Sequence, residues 1–195
     1  MTCCGREVVR VSIECEDLTP FCPLTGVFMA KIAAKSSTKS RHYWLFKSEP
    51  EAYSIDDLVR DGTTIWDGVR NFQARNLIRD EIRIGDRVLF YHSNVEPMAI
   101  VGTMEVTKAG YGDSTARDKK SDHYDPKSTI ETPIWFMVDV RLRKKFDNPV
   151  TRDMLKECSD LNEMVVLEKG SRLSIQPVTG EEWRAIHALA GEKPD

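Results

Sequence analysis

Between Pro133 and Arg143 the chain keeps a strict two-residue period. Ile134, Phe136, Val138, Val140 and Leu142 alternate with Trp135, Met137, Asp139 and Arg141. Such alternation sets the first group on a buried sheet face and the second on the opposite one. A strand buried on one side needs partner strands and a covering layer, so it constrains everything around it. Trp135, beside Pro133 and on the polar face, needs a separate explanation.

The partners are legible on either side. Tyr43–Lys47 is a short aromatic strand stopped at Ser48-Glu49-Pro50, where proline offers no ladder donor. Arg87–His92 is an apolar strand entered through Gly85-Asp86, and Ala99–Val106 follows after the turn Ser93-Asn94-Val95-Glu96-Pro97. Arg172–Gln176 reads as another strand, ended by Pro177. Helices fall between them. Ser54-Ile55-Asp56-Asp57 forms a capping box ahead of a face carrying Ile55, Leu58 and Val59. Asn71 caps a helix with Ala74, Leu77, Ile78 and Ile82 at helical spacing. Pro149–Glu157 is a short helix, and Thr179 with Glu182 opens the last one, whose buried stripe is Trp183, Ile186 and Leu189. Ala109–Thr132 is a long polar loop. Short strands mixed with short helices, without βαβ spacing, give the α+β class: a small, mostly antiparallel sheet or barrel with helices outside.

Lysine and arginine number 28 against 31 acids, a net charge of -3. That balance excludes a protein whose nucleic-acid affinity rests mainly on neutralising phosphates, though not one with a local basic rim. No run of 18 uncharged apolar residues is present, so no membrane helix is expected. Cys3, Cys4, Cys15 and Cys22 crowd the first segment without metal-ligand spacing, and Cys158 reads as a packing thiol. The chain is taken as a reduced, cytoplasmic protein. Residues 1–40 are expected to be a flexible extension, with 1–28 lying upstream of a natural start at Met29.

Chemistry concentrates where elements end. Lys47, Ser48 and Glu49 bring an ammonium and a carboxylate to one strand end, for ligand binding, acid–base work or a solvated turn. Trp66 through Asn76 joins an indole and a glycine to a helix start, and adds guanidinium forks from Arg70 and Arg75. Tyr91, His92 and Ser93 follow on a strand end. His92 and Ser93 are no catalytic pair while extended, and no orienting acid is identifiable. His42, His92, His123 and His187 lack metal-ligand spacing, so no metal and no cofactor are expected. Tyr124 in the long loop is a candidate lid.

These segments together resemble the EVE domain of the PUA-like group, the family of the thymocyte nuclear proteins. The resemblance rests on Tyr43–Pro50, Trp66–Asn76, Gly85-Asp86 with Phe90–Ser93, Ile100–Gly102, His123–Asp125, Pro133–Trp135 and Arg172–Val178. It implies a PUA-like β-barrel wrapped by short helices over residues 41–190, with 191–195 as a tail. It also implies a non-catalytic module that reads a modified nucleobase, foremost a modified cytosine, in DNA or RNA. In a eukaryote the relatives imply a nuclear location. On this reading Trp66, Tyr91 and Trp135 wall a slot for a flipped base. Lys47, Ser48 and Glu49 line its mouth or floor, with His92 as a polar wall and Tyr124 as the lid. Asn71, Ser93 and Ser174 read base edges, and Arg70 and Arg75 hold a flanking phosphate. Phe72 stands where many relatives carry Tyr, so that position is given no hydrogen bond. A small hydrolase or nuclease using Lys47 and Glu49 as an acid–base pair, and a peptide-binding module, remain as alternatives.

Overall fold

The computed structural model describes residues 41–194; the expectations for the first forty residues and for Asp195 lie outside that range. The strands are β1 (Tyr43–Ser48), β2 (Thr63–Trp66), β3 (Arg87–His92), β4 (Ala99–Gly112), β5 (Phe136–Thr151) and β6 (Ile175–Val178). The helices are α1 (Ile55–Asp61), α2 (Phe72–Asp80), α3 (Arg152–Glu157) and α4 (Gly180–Ala190). The strands form one six-stranded sheet in the order β2-β5-β4-β3-β1-β6. Every neighbouring pair is antiparallel except β1 with β3. The α+β class therefore holds. The expected barrel is instead an open sheet among the described residues, with β2 and β6 at its edges. No described helix is long and apolar enough to cross a membrane.

The cap signals behave as read. Ser54 Oγ accepts from Asp57 N at 3.1 Å while Asp57 accepts from Ser54 N at 2.9 Å, and Gly62, at φ +71°, ends α1. Asn71 Oδ1 accepts from Gln73 N and Ala74 N at 2.8 and 3.1 Å, and Thr179 and Glu182 close the box at α4. Elsewhere tertiary pairing moves the boundaries. Residues 149–151 continue β5, so α3 begins only at Arg152, capped by Thr151. Pro177 lies inside β6 rather than ending it; an edge strand has only β1 to bond with, so a missing donor is tolerated there. The four-residue β2 escapes sequence reading altogether. Val59, assigned to the buried face of α1, is 47% exposed.

Both faces of the sheet are covered. On one side Trp44, Phe46, Val88, Phe90, Val138 and Val140 pack with Ile55 and Leu58 of α1, Ala74 and Ile78 of α2, and Trp66. On the other, Leu45, Leu89, Tyr91, Ile100 and Phe146 pack with Leu155 of α3 and Trp183 and Ile186 of α4. The central strands β1 and β3 are buried on both faces, which is why they read as nearly continuous apolar runs. Gly102 is required where β4 and β5 press together, because a Cβ there would run into the Lys144 carbonyl.

Topology gathers distant segments at one end of this sheet. The parallel β1 and β3 both finish there, at Ser48 and His92. The antiparallel β4 and β6 begin there, and β5 ends beside the start of β4, with Ala99 opposite Thr151. The turn after β1, the turn after β3, the first turn of α3 and the segment entering β6 thus meet.

Candidate functional site

At that meeting point lies a cleft of about 760 Å³, within the size range of small-molecule sites. Tyr91, Met98 and Val166 supply its apolar wall. Lys47 and Arg152 are half-buried beside Tyr91 at the floor, while Glu49, Asn94, Glu168 and Arg172 stand exposed at the rim. Lys47 Nζ donates to Ser171 O at 3.3 Å, and Arg152 Nη2 donates to Leu167 O at 3.3 Å. Backbone bonds fix the walls: Lys47 N to Ser174 O at 2.9 Å, Ser93 N to Ser48 O at 2.9 Å and Arg152 N to Met98 O at 2.8 Å. Gln176 holds the entering segment, donating from Nε2 to Leu173 O at 2.8 Å and to Ser171 Oγ at 3.2 Å. Burial, and then the Arg152 charge, push the Lys47 ammonium below the usual lysine range. Burial pushes the Tyr91 phenol up.

Five of the residues singled out from sequence line this cleft: Lys47, Glu49, Tyr91, Ser93 and Ser174. Glu49 Oε1 accepts from Asn94 Nδ2 at 2.5 Å, and Asn94 takes a left-handed φ of +54° to deliver that donor. The others are engaged elsewhere. Ser48 points away, its hydroxyl donating to Tyr53 O at 2.8 Å. Trp66 is a core residue between Phe46 and Phe90, each ring 5.3 Å from its own. Asn71 spends its carbonyl on the α2 cap. His92 Nε2 accepts from Ile55 N at 3.1 Å, so it caps α1, and burial holds its pKa below the ordinary imidazole range.

A second group gathers around the 113–135 segment. Arg70 donates to the fully buried Asp113 at 2.7 Å and to His123 O at 3.0 Å, and lies 5.2 Å over the Trp135 ring. Trp135 is buried, stacks on Phe72 at 4.9 Å and donates to Asp125 at 2.7 Å. Arg75 donates to Ile134 O at 2.9 Å and covers Phe72. Tyr124 is exposed on this loop and does not line the cleft. The indoles of Trp66 and Trp135 and the phenol of Tyr91 therefore do not converge on one slot. Trp66 and Tyr91 belong to opposite faces of the sheet: Trp66 packs on Phe90, and the next residue of β3, Tyr91, faces the other core.

Sequence reasoning missed Arg152, Met98, Val166, Glu168 and the 170–172 stretch. None carries a local signal; only the pairing of β5 with β4 and of β6 with β1 delivers them. Among the described residues no group of three or more His, Cys, Asp or Glu side chains is placed to hold a metal ion.

A family model described as EVE domain matches residues 42–189. The chain belongs to the EVE domain family. The chain is 38% identical over an alignment of 170 residues to thymocyte nuclear protein 1 of Danio rerio, covering 77% of this chain and 73% of that protein. Against the protein of that name from Homo sapiens it is likewise 38% identical, covering 78% and 75%. Among solved structures, a hypothetical protein from Leishmania major superposes with a TM-score of 0.73 at 44% identity, over 77% of this chain and 95% of that one. Human THYN1 protein in complex with 5-methylcytosine containing DNA superposes with a TM-score of 0.72 at 38% identity, over 78% and 99%.

Proposed function

We propose that this EVE domain is a binding module for DNA carrying a modified cytosine, and that the cleft at the end of β1 and β3 receives the modified nucleotide. The observation that carries this reading is the likeness to the human protein solved with 5-methylcytosine containing DNA. The cleft supports it chemically. Glu49 and Glu168 at the rim offer acceptors to an exocyclic amine, Ser93 and Ser174 add hydroxyls, and Met98 and Val166 give a methyl group an apolar neighbour. A base read in one cleft needs no basic surface, in keeping with the net charge of -3. The Lys47–Glu49 acid–base alternative finds no support, since among the described residues Glu49 pairs with Asn94 and Lys47 with a backbone carbonyl.

Fluorescence anisotropy with matched duplexes containing cytosine or 5-methylcytosine tests the reading, with an RNA of the same sequence alongside. Tighter binding to the modified duplex, reduced by Glu49→Gln, is expected. Equal affinity for both duplexes would end the proposal.

A further inference from the structure

The floor of the cleft holds two cations that the described residues leave without a carboxylate partner. Lys47 and Arg152 each donate to a main-chain carbonyl, and burial together with the Arg152 charge disfavours the Lys47 ammonium. Nearby acids are engaged or peripheral. Glu49 is bonded to Asn94, Asp153 is bonded to Lys156 at 2.6 Å, and Glu168 and Glu96 are exposed. Tyr91, the register partner of Lys47 and only 2% exposed, lines the same cleft as the two cations.

We infer that the floor formed by Lys47, Tyr91 and Arg152 is a site for a phosphoryl anion, so that the cleft takes a nucleotide with its phosphate rather than a bare base. The inference rests on the reading of the cleft as a nucleic-acid site for the source of that anion. Every floor group can donate: an ammonium as a point charge, a planar guanidinium fork and a phenol. A neutral heterocycle would leave both charges uncompensated in a partly desolvated place, whereas a tetrahedral anion neutralises them and accepts from all the groups at once. The rim acids then face the base edge, and the two halves of the ligand meet opposite charge at opposite depths.

The test is a titration of the full chain with sodium orthophosphate at low ionic strength, followed by amide chemical shifts, with sodium chloride as control. Shifts at the cleft that saturate are expected, weakened at least about tenfold by Arg152→Gln or Lys47→Met, as fits loss of one charge-assisted contact. Tyr91→Phe keeps the ring in its core position and is expected to weaken phosphate severalfold with an unchanged melting temperature. The 5′-monophosphate of 5-methylcytidine should then outcompete its nucleoside. Competition by the monophosphate alone identifies a terminal phosphate, and competition by an oligonucleotide lacking terminal phosphates identifies an internal one. No saturable phosphate binding, or binding unaffected by these substitutions, overturns the inference, even where 5-methylcytidine itself binds. Phosphate binding lost in the variants, with equal affinity for modified and plain duplexes, upholds the anion site and removes the modified-base reading instead.

Discussion

Lys47 and Tyr91 are register partners on the parallel strands β1 and β3, so their side chains leave the same face of the sheet at the same height. That pairing places an ammonium next to a buried phenol at the cleft floor, with Arg152 brought in from the far end of β5. It also fixes a sign. Because the Lys47 pKa is lowered in the fold, the unfolded chain binds more protons above that pKa, and the charged lysine is a burden on the free domain below it. The burden relaxes as pH rises from the folded value toward the ordinary lysine range. Lys47→Met should therefore leave thermal stability equal or higher while weakening ligand binding. Wild-type binding of orthophosphate should fall at a pH below where a free lysine titrates. Calorimetric unfolding and a pH series of phosphate titrations check both.

The Arg70–Asp113 pair holds the 113–135 segment to the start of α2. Burial alone would raise the Asp113 pKa, but hydrogen bonds from Thr115 and from Arg70 outweigh it and keep the carboxyl below the usual range. Its contribution is complete above the ordinary carboxylate pKa and is lost as pH falls through the depressed one. Asp113→Asn is expected to cost about 3 kcal/mol, the low end for breaking a buried pair because Arg70 keeps some solvent. Urea unfolding at neutral and acidic pH should show the gap narrowing in acid.

Trp66 separates a core role from a pocket role. Trp66→Ala should destabilise by about 3–5 kcal/mol through the cavity left between Phe46 and Phe90. Trp66→Phe should retain ligand affinity within error. An anisotropy titration that lost binding in the phenylalanine variant at full stability would return the indole to the site.

Gly102→Ala sets a methyl against the Lys144 carbonyl, a backbone atom that cannot swing aside. A loss of about 1–3 kcal/mol is expected, as for other overpacked sites. The same change at Gly170, which has open space around it but a φ of +80°, should act through backbone strain alone and cost about 1 kcal/mol. Chemical denaturation of both variants compares the two causes.

Much of the scaffold could be read before any coordinates. The caps at Ser54, Asn71 and Thr179 depend on neighbours three residues away, and the alternation from Phe136 to Leu142 depends on neighbours two away. Such short-range rules carry their own evidence in the chain. The site was legible only in part, for a physical reason. Tyr91 and Trp66 look equally suited to a pocket as residue types, but the register decides their fate. Trp66 lies opposite Val138, on the face that packs against α1 and α2, while Tyr91 lies opposite Lys47 and Ile100 on the other. Arg152 had no local cue at all, since its place follows from the length of β5 and its pairing with β4.

The sheet order also governs when the cleft comes into being during synthesis. Its first walls are made by residues 47–49 and 91–94, yet the stretch that closes it enters only ahead of β6, and β6 must zip onto β1 to hold that stretch in position. A nascent chain that has not yet released Ile175–Val178 has an unfinished receptacle and a bare β1 border. A chain ending before that tetrapeptide would leave the 170–174 wall without the β6–β1 pairing that holds it, however well the earlier strands had already associated.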